Sequence, residues 1–211
     1  MCDFASLIVT KDRVFWSKNG DNHTAIAEEH GLHEDGAKGP NVVKVEITPP
    51  GGQWWTDRKG WAFRVDQDIL PEWWDAKDGE ARARVALEDL AAARLFDGRD
   101  AEVKEGMIFA RNSTVKAWGS ATVEASGSAT VKAWGSATVK AWDSATVKAW
   151  GPATVKASGS ATVIGYSPTR HKLADLAVLV DRSKAGTVTC ETTLIKAEAE
   201  AAYAVKGSVK L

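Results

Sequence analysis

Cys2 follows the initiator methionine, which is normally removed before so small a residue. The freed cysteine would be an N-terminal nucleophile with its own amine as base, the chemistry of an N-terminal-cysteine hydrolase. Such an enzyme also needs an oxyanion site and a substrate pocket, and no motif in the chain supplies either. His23, His30 and His33, with Glu34 beside the last, suggest a metal site, because His30 and His33 would share a face of a continuing helix. Gly31 interrupts that helix, so the expectation is exposed histidines around a helix C-terminus, with no metal and no cofactor. Asp66 and Asp68 alternate onto one strand face, where they could do acid–base work or bind a cation, but Pro71 makes them the border of a turn.

Binding chemistry has stronger candidates, because the chain holds ten Trp beside two Tyr and five Phe. Trp54, Trp55, Trp61, Trp73 and Trp74 crowd into one short stretch. Adjacent tryptophans in a strand point to opposite sides, so Trp54 or Trp55 is expected at the surface as an anchor for another protein. Most of the remaining tryptophans are periodic. From Ser113 to Ser167 the chain reads STVKAWGS, ATVEASGS, ATVKAWGS, ATVKAWDS, ATVKAWGP, ATVKASGS, ATVIGYS, a repeat of eight residues. Ala121, Val123 and Ala125 alternate with Thr122, Glu124 and Ser126, and a Gly-Ser, Asp-Ser or Gly-Pro pair follows, which specifies a short strand ended by a turn. One such strand cannot bury its Ala-Val-Ala face, whereas stacked copies share a narrow core as a parallel β-solenoid.

The last strand position runs Trp118, Ser126, Trp134, Trp142, Trp150, Ser158, Tyr166. Taking alternate members places Trp118, Trp134, Trp150 and Tyr166 in one column and Ser126, Trp142 and Ser158 in another. Two strands per 16-residue coil therefore separate an aromatic ladder, with Lys116, Lys132 and Lys148 beside it, from a sheet carrying Glu124, Lys140 and Lys156. About three and a half coils, roughly 16 Å tall, are expected at the usual strand spacing. An outward column of four rings approaches the size at which exposed apolar patches mark an interface. Self-association is expected, most simply as a dimer with the lysines at its rim.

Residues 113 to 167, through Trp-Gly-Ser at 118 to 120 and 134 to 136 and the small inward residues, resemble the octapeptide-repeat β-solenoids, of which the bacterial ice nucleation proteins are the best known. That resemblance implies 16-residue coils. Those proteins order water with paired threonines flanking one residue, whereas this repeat has a single Thr per strand followed by Val, so an ice-organising role does not carry over.

The segment before the repeat reads as a degenerate octad acting as a cap, with Met107 in the Val slot and Phe109 in an Ala slot. Residues 1 to 98 have no repeat and read as a small α+β domain. SLIVT and RVFWS form a hairpin around Lys11 and Asp12, a helix spans Asn22 to His30, VVKVEIT and WAFRVD are strands, and a second helix runs from Gly79 to Phe96. Residues 99 to 167 form the solenoid with its cap. Residues 168 to 211 form a C-terminal cap in which LADLAVLV and TVTCETTL are strands and AEAEAAYAV a short helix, although alternating Ala and Glu also fits a strand. The fold class is mainly β, with a small α+β domain in front of a short parallel solenoid of two strands per coil. MCDFASLIVTKDRVFW, VKVEITPP and FRVDQDILPEWW resemble uncharacterised proteins of bacteriophages and prophages of high-GC bacteria, which implies a phage source and no mechanism.

Twenty-seven basic against 28 acidic residues give a formal net charge of -1, removing the electrostatic reason to expect nucleic acid or an anionic membrane as partner. No apolar run is long enough to span a bilayer, and the N-terminus lacks a basic region leading into an apolar stretch, so the host cytoplasm or a virion is expected. Two cysteines, Cys2 and Cys190, exclude a disulfide framework. Charge is partitioned, since residues 1 to 100 carry 13 basic and 19 acidic side chains while the repeat carries five Lys against Glu124 and Asp143. Three functions follow: a structural or interaction protein using the solenoid as spacer and docking surface, an inhibitor or ligand-sequestering protein acting on a host system through Trp54 and Trp55, or a hydrolase acting through Cys2.

Overall fold

Alternation in the first strands sets up a sheet with two covered faces. β1 (Ser6–Val9) and β2 (Val14–Phe15) make the hairpin expected around Lys11 and Asp12, and β1 also pairs antiparallel with β5 (Val43–Thr48). Between them lie α1 (His23–His30) and a two-residue ladder of β3 (Asp35–Gly36) with β4 (Gly39–Pro40). β6 (Ala62–Val65) completes a four-stranded sheet of order β2-β1-β5-β6. The structure is a computed structural model that describes residues 5 to 33, 35 to 36, 39 to 167, 171 to 184, 187 to 194 and 203 to 210. It divides into two units, Met1–Arg94 and Leu95–Leu211.

In the first unit the Asn22 side chain accepts the Ala25 N–H and so caps α1, which Gly31 ends in the left-handed conformation at φ 61°. Ile26 and Ala27 of α1 pack with Ile8 and Val42. α2 (Ala76–Arg94) packs against β1, β2 and β5 and buries Ala83, Leu87 and Leu90. The helix expected over Gly79 to Phe96 thus begins earlier and stops at Arg94.

The second unit opens with β7 (Leu95–Asp97), β8 (Ala101–Val103) and β9 (Met107–Arg111). The octads follow as β10 (Thr114–Ala117), β11 (Thr122–Ser126), β12 (Thr130–Ala133), β13 (Thr138–Ala141), β14 (Thr146–Ala149), β15 (Thr154–Ala157) and β16 (Thr162–Gly165). β17 (Lys172–Leu173) and β18 (Val178–Lys184) continue the winding, and β19 (Thr187–Leu194) and β20 (Tyr203–Lys210) then pair antiparallel. The sheets have orders β17-β15-β13-β11-β9-β7 and β20-β19-β18-β16-β14-β12-β10-β8. Odd and even octads occupy different sheets, the two-strand coil expected. Thr114 pairs with Thr130 and Thr130 with Thr146, a repeat of 16 residues.

About five turns are present, more than the octads alone account for. β7 and β8 precede the repeat, and β17 and β18 follow it, joining by parallel backbone pairing without the octad signature. Ala121, Val123 and Ala125 are fully buried, as are Val131, Val139 and Val147 in the same slot of later strands. Phe96 and Val103 pack against the first end of this core, and Leu173 and Leu179 against the other. The expected cap residues are corrected. Phe109 pairs with Glu124, Met107 with Thr122 and Ile108 with Val123, so Ile108 takes the Val slot and Ala110 the Ala slot. The turn after β9 is one residue shorter than its successors, which moves the register by one and reverses every facing.

The helix expected over residues 197 to 205 is also corrected in part, because Tyr203–Lys210 is a strand; residues 195 to 202 lie outside the described residues. No helix among the described residues is long and apolar enough to cross a membrane.

Candidate functional site

The column expected from alternate octads is present, and the backbone explains its regularity. Trp134 N–H donates to the Ala117 carbonyl at 2.9 Å, Trp150 N–H to Ala133 at 2.9 Å and Tyr166 N–H to Ala149 at 2.8 Å, so each ring leaves its coil from the same point. Trp118 and Trp134 stack with centroids 5.4 Å apart and planes 14° from parallel, and Trp134 and Trp150 at 4.9 Å and 9°. Trp150 and Tyr166 close the column at 4.7 Å and 4°. All four are half-buried. Such a contact contributes about 0.5–1.5 kcal/mol beyond the area it buries.

The turns after the rings hold the spacing. Gly119 adopts φ 57° and Gly135 φ 62°, and a β-carbon on Gly119 would stand 2.6 Å from the Lys104 carbonyl oxygen. On the other sheet Asp143 takes that left-handed turn position with φ 55°, and its carboxylate accepts the Gly127 N–H at 2.9 Å. Asp175 repeats this two coils later, accepting the Gly159 N–H at 3.1 Å. Asp143 was visible in sequence as the one departure from Gly or Ser at its place, but its role as a coil-to-coil acceptor was not.

Beside the rings, Lys116 pairs with Glu102, while Lys132 and Lys148 have no carboxylate partner among the described residues. The opposite sheet carries a shallow groove of about 260 Å³ lined by Lys140, Trp142, Lys156, Ser158, Lys172 and Leu173. Trp142 stands there between Ser126 and Ser158 with no aromatic neighbour in its column, and Lys140 reaches back to the buried Glu124 at 2.6 Å.

The candidates of the first unit are arranged differently from expectation. Trp54 and Trp55 lie in a turn of the loop between β5 and β6 and both are half-buried, while Trp61 is enclosed with its indole N–H donating to Thr56 Oγ1 at 3.0 Å. Trp74 packs on Gly79, where a β-carbon would fall 2.1 Å from the ring. His30 and His33 are exposed around the end of α1, and the His30 Nε2 meets the Trp16 carbonyl at 2.9 Å. His23 is corrected: it starts the helix and is buried, 6% exposed. Its Nδ1 lies 3.5 Å from Asp66 Oδ2 and its Nε2 3.1 Å from the Val45 carbonyl oxygen. Glu46, missed in sequence because an acid in an alternating strand reads as solvent-facing, is 2% exposed beside them. One ligand atom each from His23, Glu46 and Asp66 falls within 4.8 Å of the others. Asp68 is not part of this group. Cys2 lies outside the described residues.

Close by, burial holds the Asp21 carboxyl above its ordinary range against the opposing pull of the Ser6 N–H and Arg94. Burial also lowers the Arg94 guanidinium, which donates to the Ser17 and Gly20 carbonyls. The chain matches no family model, no curated protein and no solved structure.

Proposed function

We propose that this chain is a non-enzymatic, phage-type structural or interaction protein, working in a host cytoplasm or a virion, whose solenoid is a rigid spacer and docks a second copy through its aromatic column. The observation that carries this reading is the continuous stack of Trp118, Trp134, Trp150 and Tyr166, each ring within 5.4 Å of the next. Fixed backbone anchors leave these rings little conformational entropy to lose on association, which favours them as contact residues. A two-fold arrangement sets each column against its mate and buries the apolar strip of both. Lys132 and Lys148 then lie at the rim, where they cover ring faces.

The test is the solution mass by light scattering of the full chain and of the Trp134→Ser, Trp150→Ser double variant. Serine is already used at equivalent positions, 126 and 158, so the strands should survive. The expected result is a dimer whose dissociation constant rises in the double variant. A wild-type chain that stays monomeric at high micromolar concentration, or a dimer that the double variant leaves unaltered, overturns the reading.

A further inference from the structure

In the first unit, strand register gathers charge on a face where a helix covers it. Ser6 pairs with Glu46 across β1 and β5, and Glu46 with Arg64 across β5 and β6, so the three side chains stand in one row. His23 and Asp66 flank the row, with Asp21 and Arg94 near it. Ser6, Glu46 and His23 are 1%, 2% and 6% exposed. Asp21, Glu46 and Asp66 bring three carboxylates together beside the guanidinium groups of Arg64 and Arg94.

A buried hydroxyl in this row remains unsatisfied. The Ser6 hydroxyl has no hydrogen-bond partner among the described residues although it shares its face with Glu46. At His23, a carbonyl oxygen only accepts, so Nε2 donates to Val45, and Nδ1 faces the Asp66 carboxylate 3.5 Å away. A histidine whose far nitrogen donates to a backbone carbonyl is oriented in the way metal-binding histidines are.

We propose that His23 Nδ1, Glu46 and Asp66 form a binding site for a first-row divalent metal ion. One imidazole and two carboxylates suit ions such as Zn2+, Co2+ or Mn2+. Arg64, which pairs with both Glu46 and Asp66, holds the place in the metal-free chain; its side chain is 63% exposed and has solvent to swing into. The exchange replaces one positive charge by two beside the carboxylates of Glu46 and Asp66. It also frees a Glu46 oxygen for the Ser6 hydroxyl to donate to. The ion would join α1, β5 and the end of β6, residues 20 or more apart in sequence, and so clamp the helix N-terminus to the sheet.

Co2+ titration of the chelator-treated full chain, followed by visible absorption and competed with Zn2+, tests this. The expected result is one saturable equivalent, displaced by Zn2+. Asp66→Asn should weaken it about 10-fold or more. Arg64→Ala should tighten it, because the competing cation is gone; a purely structural ion-pair network gives no such gain. Asp66 and Arg64 are exposed enough for both variants to fold, which circular dichroism verifies. Absence of saturable binding in wild type and Arg64→Ala, binding that Asp66→Asn leaves unchanged, or weaker binding in Arg64→Ala each overturns the proposal.

Discussion

Trp150 and Tyr166 stack with centroids 4.7 Å apart and planes 4° from parallel, closer and flatter than the tryptophan pairs before them. Trp134, with a ring on each side, contributes two contacts, whereas Trp118 contributes one. Trp134→Ser should therefore destabilise the solenoid by about 1–3 kcal/mol, and Trp118→Ser by about half as much. Urea unfolding read below the concentration of any association measures both, and equal losses would contradict the stacking account.

Val139 sits in the middle of the narrow core with no exposed surface. Val139→Ala removes two methyl groups from a space that flanking alanines cannot refill, at a cost of about 2 kcal/mol. Val139→Asp puts an unpaired charge there and should unfold the stack, seen as loss of the β signal in circular dichroism. A folded Asp variant would mean that the sheets separate more readily than their packing implies.

At Asp143 two effects oppose each other. The left-handed conformation favours glycine, while the carboxylate accepts the Gly127 N–H of the preceding coil. Asp143→Gly exchanges one for the other and should change stability by less than about 1 kcal/mol. Asp143→Ala loses the acceptor and keeps the strain, so it should be less stable than the glycine variant by about 1–2 kcal/mol. Thermal midpoints that rank alanine above glycine would refute this.

His171 lies against Gly165, and neither ring nitrogen has a partner among the described residues, so burial lowers its imidazole below the ordinary range despite the opposing pull of Asp181. The folded chain then binds this proton less readily than the unfolded chain. Stability is complete above about pH 6.5 and falls as pH drops toward the lowered value. His171→Gln should flatten that part of the profile of denaturation midpoint against pH. A slope unchanged by the substitution would assign it to other groups.

The octads were legible because period, strand alternation and turn residues all repeat, and alternate reading of Trp118 through Tyr166 gave the coil size before any coordinate. Legibility failed where one residue changes a register. Met107 and Phe109 look like inward residues in an octad, but the short turn at 111 to 113 makes Ile108 and Ala110 the inward pair. The outer coils were hidden for a different reason, since Leu95–Asp97 and Val178–Lys184 join by backbone pairing that imposes no residue pattern. His23, Glu46 and Asp66 are separated by about 20 residues each, and only the placement of α1 over the sheet makes them neighbours. Distance in sequence, not weak chemistry, concealed them.

The reversal of chain direction between Val178–Lys184 and Thr187–Leu194 bears on how the molecule avoids endless polymerisation. A parallel ladder of identical rungs has no intrinsic last member, because its terminal strand offers another chain the same template as every earlier one. Here the larger sheet sets Thr187–Leu194 against the winding before it ends on Tyr203–Lys210, and the smaller sheet ends on the two residues Lys172–Leu173. The antiparallel pairings on both sides of Thr187–Leu194 interrupt the parallel bonding pattern in the larger sheet, and two residues give an incoming coil little to pair with in the smaller. Proteolytic removal of the last two strands would uncover Val178–Lys184 as a seed for fibre growth, so resistance to aggregation resides in the part of the chain that least resembles the repeat.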